Sequence, residues 1–282
     1  MSFQNFDNLT VGFVDKSVAR DMIEKNHYSK KWATPFGIEN VGVYRDGELL
    51  GVAAYGYPMN PKSWASISDI DPSKCLELNR LWIHDTLGKN TETWLLAKSF
   101  DLLREKGYRL IQSFSDGRLG VGTIYQAANF SYHGFHVTLF HEDIETGVVY
   151  HDTAFHDTRS AAGMIARNML FATGRTRSFK VNTYRYLKPL DKGARRAIKL
   201  AEKPYPKERV GRIDFPDFKP SPSQIARVYA LADAAHDYES ARIFREYLDT
   251  LTDDPMRYIE AQQENKWVIA AREKNSDQLL FV

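Results

Sequence analysis

The sequence predicts an α+β protein in which helices cover a largely antiparallel sheet, followed by a small helical appendage. Three observations predict it. An Asp-Gly pair joins two apolar runs as a β-hairpin does, because both residues tolerate the positive φ of the favoured turns. Helix-period and strand-like runs then alternate as far as residue 190. Finally, helical periodicity returns after a basic, proline-broken stretch that ends near Ser221. The 282 residues are 43% apolar and 26% charged, which supplies a sizeable core and excludes global disorder.

Taken in order, Val18, Met22 and Ile23 give helical spacing to the run from Ser17, which ends at Asn26-His27-Tyr28-Ser29. The hairpin VGVYRDGELLGVAAYGYP turns at Asp46-Gly47. CLELNRLWI reads as a strand, and TETWLLAKSFDLLREKG as a helix that Gly107 stops. YRLIQSFSD is the next strand, where the sheet is expected to switch direction near Ser115. A glycine-rich turn, DGRLGVG, leads into the helix TIYQAANF, and SYHGFHVTLFHEDI and GVVYHDTAF are β-rich. After Thr158, RSAAGMIARNMLFATGR reads as helical and SFKVNTYRYLKPL as extended. The resulting division is a catalytic domain over 1–190, a basic linker over 191–220 and a helical appendage over 221–282.

Net charge is only +2, yet it is unevenly spread. Arg159–Lys219 holds 16 Lys and Arg against 5 Asp and Glu, an excess that suits a polyanionic partner or a solvated basic face. A single cysteine, Cys75, excludes an intramolecular disulfide framework and reads as structural. No apolar run reaches a membrane span, and the N-terminus lacks a basic segment followed by an apolar one. A soluble, cytoplasmic protein is expected.

The densest polar cluster is SFSDGRLGVGTIYQAANFSYHG. Asp116 falls at a strand end, Gly117, Gly120 and Gly122 follow, and Tyr125 comes one turn into the next helix. Such strand ends at switch points are where related sheets place ligands, and helix starts suit anions. The plainer reading is a tight strand–helix turn with a core tyrosine. His27-Tyr28 forms the second cluster, where the histidine is either functional or a helix C-terminal cap. Trp32, Pro35 and Phe36 suggest a loop with aromatic surface. Arg80, between apolar neighbours on its strand, either pairs with a carboxylate such as Asp116 or points into a pocket. His133, His136, His141, His151 and His156 match no familiar metal-ligand spacing.

The strings NHYS, GVAAYGYP, LELNRLWI, SFSDGRLGVGTIYQAANFSYHG and NTYRYLKPL, in this order over roughly residues 17–190, resemble the phage Mom family of DNA-modification proteins. Those proteins themselves resemble the GNAT acyltransferase fold. The resemblance implies conversion of adenine to N6-carbamoylmethyladenine in double-stranded DNA of a bacterial host cell, an anti-restriction device. It implies His27, Tyr28, Asp116 and Tyr125 as the active-site set, with Ser29, Trp32, Arg80 and Ser115 beside the substrate. Gly120, Gly122 and Thr123 would meet the donor, and Arg175, Arg177, Lys180, Arg185, Arg195 and Arg196 the DNA phosphates. It also implies a test of iron, with His27 and Asp116 as ligands.

Two departures stand out. Where the family has a Gly-His pair, this chain has Gly120-Val121. Where a GNAT protein has its pyrophosphate loop, this chain has Leu87-Gly88-Lys89-Asn90-Thr91. The donor therefore stays open between acetyl-CoA and an aminoacyl-type ester. Two other classes fit the residues: a GNAT-like acyltransferase acting on a small amine, protein or aminoacylated substrate, and a non-catalytic DNA-binding protein.

Overall fold

The structure is a computed structural model that describes residues 6–279 except residues 34, 59 and 158, with side chains to residue 274. The expectation of no signal segment rests partly on residues 1–5, which lie outside the described residues. In chain order the elements are β1 (Leu9–Phe13), α1 (Lys16–Asn26), β2 (Glu39–Arg45), β3 (Glu48–Gly56), α2 (Trp64–Ile67), β4 (Cys75–Ile83) and α3 (Thr91–Glu105). There follow β5 (Leu110–Asp116), α4 (Thr123–Ala127), β6 (Ser131–Asp143), β7 (Val149–His151), α5 (Ala161–Ala172), β8 (Thr176–Pro189) and α6 (Lys192–Arg196). The chain continues through β9 (Arg212–Asp214), α7 (Pro222–Ala234), α8 (Tyr238–Asp249), α9 (Pro255–Glu260) and α10 (Lys266–Leu279).

The chain forms two compact units. One comprises the chain up to His136 together with Asn182–Gly211; the other comprises Val137–Val181 and the chain from Arg212 onward. This differs from the expected boundaries at 190 and 220. The long strands β6 and β8 each begin in one unit and end in the other, which apolar periodicity along a single strand does not reveal.

In the first unit the strands run β1-β2-β3-β4-β5-β8, with β6 next in order. Asp46 and Gly47 both take positive φ at the β2–β3 turn, as that dipeptide predicts. The pairs β1–β2, β2–β3, β3–β4 and β5–β8 are antiparallel, and β4–β5 is parallel. The direction thus changes at β5, as expected. The fold is the mixed α+β class with a largely antiparallel sheet flanked by helices. Leu95, Leu96, Phe100 and Leu103 of α3 pack with Tyr55, Leu76, Ile111, Phe130 and Tyr186 of the strands. Gly107, at φ 88°, follows the end of α3. Cys75 is buried among Trp64, Leu110 and Leu187, and burial pushes its thiol up to about 12, which leaves it unreactive.

The stretch read as a linker is built into the units. Asp191 caps α6 by accepting the Ala194 N–H at 2.7 Å, and the Lys203 N–H reaches the Tyr132 carbonyl at 2.8 Å. Tyr205 donates to the Phe130 carbonyl, and Gln126 donates to the Pro206 carbonyl. Proline removes its own donor, but its carbonyl and its neighbours' groups remain available.

In the second unit β7 pairs antiparallel with β6, and β9 with β8. Its core joins Met164 and Ile165 of α5 to Ile225, Val228 and Leu231 of α7 and Phe244 and Leu248 of α8. The helices expected after Ser221 therefore share a core with α5. His141 is fully buried beside Phe155, Phe171 and Phe218, with Ser178 and Asp152 at 2.9 and 3.0 Å from its ring nitrogens. Among the described residues no helix is long and apolar enough to cross a membrane.

Candidate active site

The site begins where two strands part. β4 and β5 pair at three positions only: Cys75 with Leu110, Leu76 with Ile111 and Glu77 with Gln112. Beyond them β4 stays with β3 and β5 with β8, so a wedge opens toward the C-terminal ends of the two parallel strands. A bulge in β4 widens it: Arg80 opposes Ala54 and Leu78 opposes Tyr55, which leaves Asn79 as the extra residue.

Glu77, which sequence reasoning missed, holds the apex. Its carboxylate accepts hydrogen bonds from Gln112 at 3.0 Å and Asn79 at 3.1 Å, and Arg185 donates to the Gln112 amide oxygen at 3.0 Å. Burial pushes this carboxyl up, against the pull of those bonds and of Arg185 and Arg80. The one signal in sequence was an acid between two leucines, Leu76 and Leu78, on its strand.

Arg80 does not take up Asp116 as its carboxylate partner. It donates to the backbone carbonyls of Lys31 (3.2 Å) and Asn79 (2.6 Å) and lies 4.6 Å above the Phe36 ring. Asp116 is instead gripped by Arg118, whose Nε and Nη2 reach its two oxygens at 2.6–3.1 Å. The Arg118 amide also donates to Asp116 Oδ1, at 2.9 Å.

His27 is the C-cap residue of α1, as the plainer reading had it, and is 8% exposed. The Ser29 amide donates to its Nδ1 at 3.1 Å, with the Ser29 hydroxyl at 2.9 Å. Burial, then the Arg80 charge, lowers its pKa to about 4. The ring is therefore neutral near pH 7, with its proton on Nε2. Tyr28 covers it at 4.2 Å between ring centroids and is itself 67% exposed. Desolvation and the Asp116 charge push the Tyr28 phenol up, while Arg80 and Arg118 oppose them. Tyr125 packs on Phe130 and Tyr186, with its hydroxyl 3.4 Å from the Phe114 carbonyl. Burial raises its phenol too, against a hydrogen bond with Ser113. Tyr28, Arg80, Asp116 and Tyr125 thus lie within electrostatic reach of one another or of shared neighbours.

The histidine carries a stability prediction. Because the folded pKa lies below the unfolded 6.5, the unfolded chain binds more protons between pH 6.5 and about 4. The stability tied to neutral His27 is complete above pH 6.5 and is lost as pH falls to about 4, to a limit of about 3 kcal/mol. Urea midpoints of the wild-type chain fall across that window more steeply than those of His27→Gln. Equal slopes would remove His27 from the acid response.

Several expected contacts take other forms. Trp32 is partly exposed and packs edge-on to Phe36, whereas Phe36 is buried under Arg80, so the Phe36 ring is not open as a stacking face. The Ser115 hydroxyl is engaged by the Gly120 carbonyl at 3.1 Å. Gly122, at φ 81°, fits the chain itself: a Cβ there would stand 2.6 Å from the Tyr186 ring. Gly120 is open, and Thr123 is exposed at the start of the short α4. Arg175 is held by Asp143 and Glu145, Lys180 lies over Phe215, and Arg195 pairs with Glu202. Arg185 is half-buried over Phe114, whereas Arg177 and Arg196 are exposed. These residues lie in different units, the first three numbers (175, 177 and 180) in one and the rest in the other.

The donor set does not fit iron. His27 Nδ1 and both Asp116 oxygens are engaged as described, and among the described residues no group of three or more His, Cys, Asp or Glu could hold a metal ion.

The fold and this site define a mixed α+β protein with a polar, tyrosine-bearing cleft where its two parallel strands separate. The chain belongs to the Mom protein family, whose model matches residues 8–207. It is 32% identical over 199 residues to the methylcarbamoylase mom of Escherichia phage Mu, covering 67% of this chain and 80% of that one. Among solved structures, an N-acetyltransferase from Staphylococcus aureus Mu50 is 13% identical at a TM-score of 0.37, covering 66% of this chain and 100% of that one. The ribosomal-protein-S18-alanine N-acetyltransferase of Escherichia coli is 8% identical at 0.36, covering 65% and 94%.

Proposed function

We propose that this chain is a DNA-modifying transferase that carries a carbamoylmethyl group to N6 of adenine and thereby shields DNA from restriction in the host cell. The observation that carries the reading is the wedge, with Tyr28, Asp116, Arg80 and Tyr125 around it beside a neutral His27, in a chain of the Mom family. The phage Mu relative is named a methylcarbamoylase.

N6 is a weak nucleophile because its lone pair is delocalised into the ring, so the site must orient it, remove a proton and supply one to the departing group. The expectation that either Asp116 or His27 serves as base narrows here. Nδ1 of His27 already accepts the Ser29 amide, so the ring offers only an Nε2–H donor and orients the substrate. Asp116 accepts the N6 hydrogen bond, and Arg118 sets the carboxylate's direction. Tyr125 keeps its proton near pH 7 and donates it to the leaving group. Tyr28 is the exposed ring on which a flipped adenine stacks. The donor must carry its leaving group on the CH2 carbon of the carbamoylmethyl group, because N6 bonds to that carbon as the carbon–leaving-group bond breaks, whereas attack on an acyl carbonyl would leave an amide on N6. The first turn of the 15-residue α3, which receives no side-chain cap from Asn90, suits an anionic part of that donor.

Nucleoside mass spectrometry of plasmid DNA from expressing cells tests this. The expected result is an adenosine species carrying the carbamoylmethyl addition. Unmodified DNA in the presence of folded protein would overturn the reading. DNA affinity is expected to fall steeply between 50 and 200 mM salt, by about tenfold or more. Indifference to salt would favour a small-amine acceptor.

A further inference from the structure

We propose that Leu119 is the side chain that enters the base stack in place of the flipped adenine, an inference that rests on the DNA-modifying reading above. Leu119 is 60% exposed at the tip of the turn that follows Asp116. A lone surface leucine needs no explanation. This one sits on a turn tied down on every side.

Its own amide and that of Gly120 donate to the Asp116 carbonyl at 2.9 and 3.2 Å. The Gly117 amide donates to the Asn182 carbonyl, the Ser115 hydroxyl to the Gly120 carbonyl, and Tyr186 to the Val121 carbonyl. From the other side, the Arg209 guanidinium donates to the Gly117 and Arg118 carbonyls. A turn this well satisfied presents its apolar tip at low entropic cost.

The surroundings suit a duplex. Arg209 brings a guanidinium group to the base of the turn, complementary to a phosphate, while Arg118 is paired with Asp116. Beside Leu119, an added Cβ on Gly120 would meet nothing within 4 Å, so a sugar-phosphate chain can pass close to the backbone. Tyr28 and Leu119, two large and well-exposed side chains at this site, then divide the work. Tyr28 takes the extruded base, and Leu119 fills the gap that the base leaves.

The test uses a duplex carrying 2-aminopurine at an adenine that the wild-type chain modifies in plasmid DNA, and the same strand with an abasic site opposite that position. Wild-type protein is expected to raise 2-aminopurine fluorescence on both. Leu119→Ala should lose about tenfold or more of the flipped population on the paired duplex, yet stay within about threefold of wild type opposite the abasic site, where no base pair must be broken and no orphaned partner must be held. Leu119→Phe should restore the signal on the paired duplex.

A Leu119→Ala protein that flips the paired base as wild type does would overturn the role of Leu119 alone. Equal losses on both substrates would also overturn it, since they mark a collapsed turn. A wild-type protein that binds the duplex without raising fluorescence would overturn the flipping step and the function built on it.

Discussion

Replacing Tyr125 with phenylalanine is expected to lower adenine modification by about 10²–10⁴-fold, the range removed with a positioned proton donor. The variant deletes one oxygen and keeps the ring on Phe130 and Tyr186. Its hydroxyl lies 3.4 Å from the Phe114 carbonyl and also bonds Ser113, so its loss costs about 1 kcal/mol of stability. DNA affinity should be unchanged, because Tyr125 is set down in the wedge and not on the DNA-facing turn. Nucleoside mass spectrometry beside a binding titration separates the two effects. Unchanged modification would remove Tyr125 from proton transfer.

The second large effect is expected at Gly56, the last residue of β3. A Cβ there would stand 2.0 Å from the Pro35 carbonyl oxygen, 2.5 Å from Asn79 Oδ1 and 2.9 Å from Phe36 Cα. Two of these three atoms are backbone, so no side chain can rotate away to make room. Gly56→Ala must lift the Pro35–Phe36 segment off β3, break the Tyr57 N–H bond to the Pro35 carbonyl and unseat the ring beneath Arg80. Overpacking of this kind costs about 3 kcal/mol. A melting temperature lower by about 6–12 °C is expected, together with loss of activity. A variant that melts with the wild type would show that the loop is not seated on β3 as described.

Much of this fold was legible because local chemistry specified it. Asp46-Gly47 announced the hairpin, Gly107 the end of α3, and the CLELNRLWI run matched β4 residue for residue. The four proposed active-site residues were also legible, through the strings that carry the family resemblance. What stayed hidden depends on long-range partners. Glu77 looks like any strand acid until Gln112, 35 positions away, is placed against it. Arg118 stands two residues from Asp116, a spacing that could have suggested their pairing. Phe36 read as surface because sequence does not show the Arg80 guanidinium lying on it. The proline-broken stretch looked like a tether because its ties run to backbone carbonyls, which every residue possesses.

The return of β8 to the first unit has a consequence for biosynthesis. Asp116 pairs with Thr183, so the outer edge of β5 has no partner until the chain has grown through the intervening insert. At 5–20 residues per second, that interval is roughly 3–13 s on the ribosome. During it the nascent sheet carries a bare strand edge beside the unfinished wedge, a template for mispairing that the native chain lacks. Slower translation through this insert should therefore lower the yield of active enzyme, and synonymous codon changes confined to it would reveal the effect without altering a single side chain.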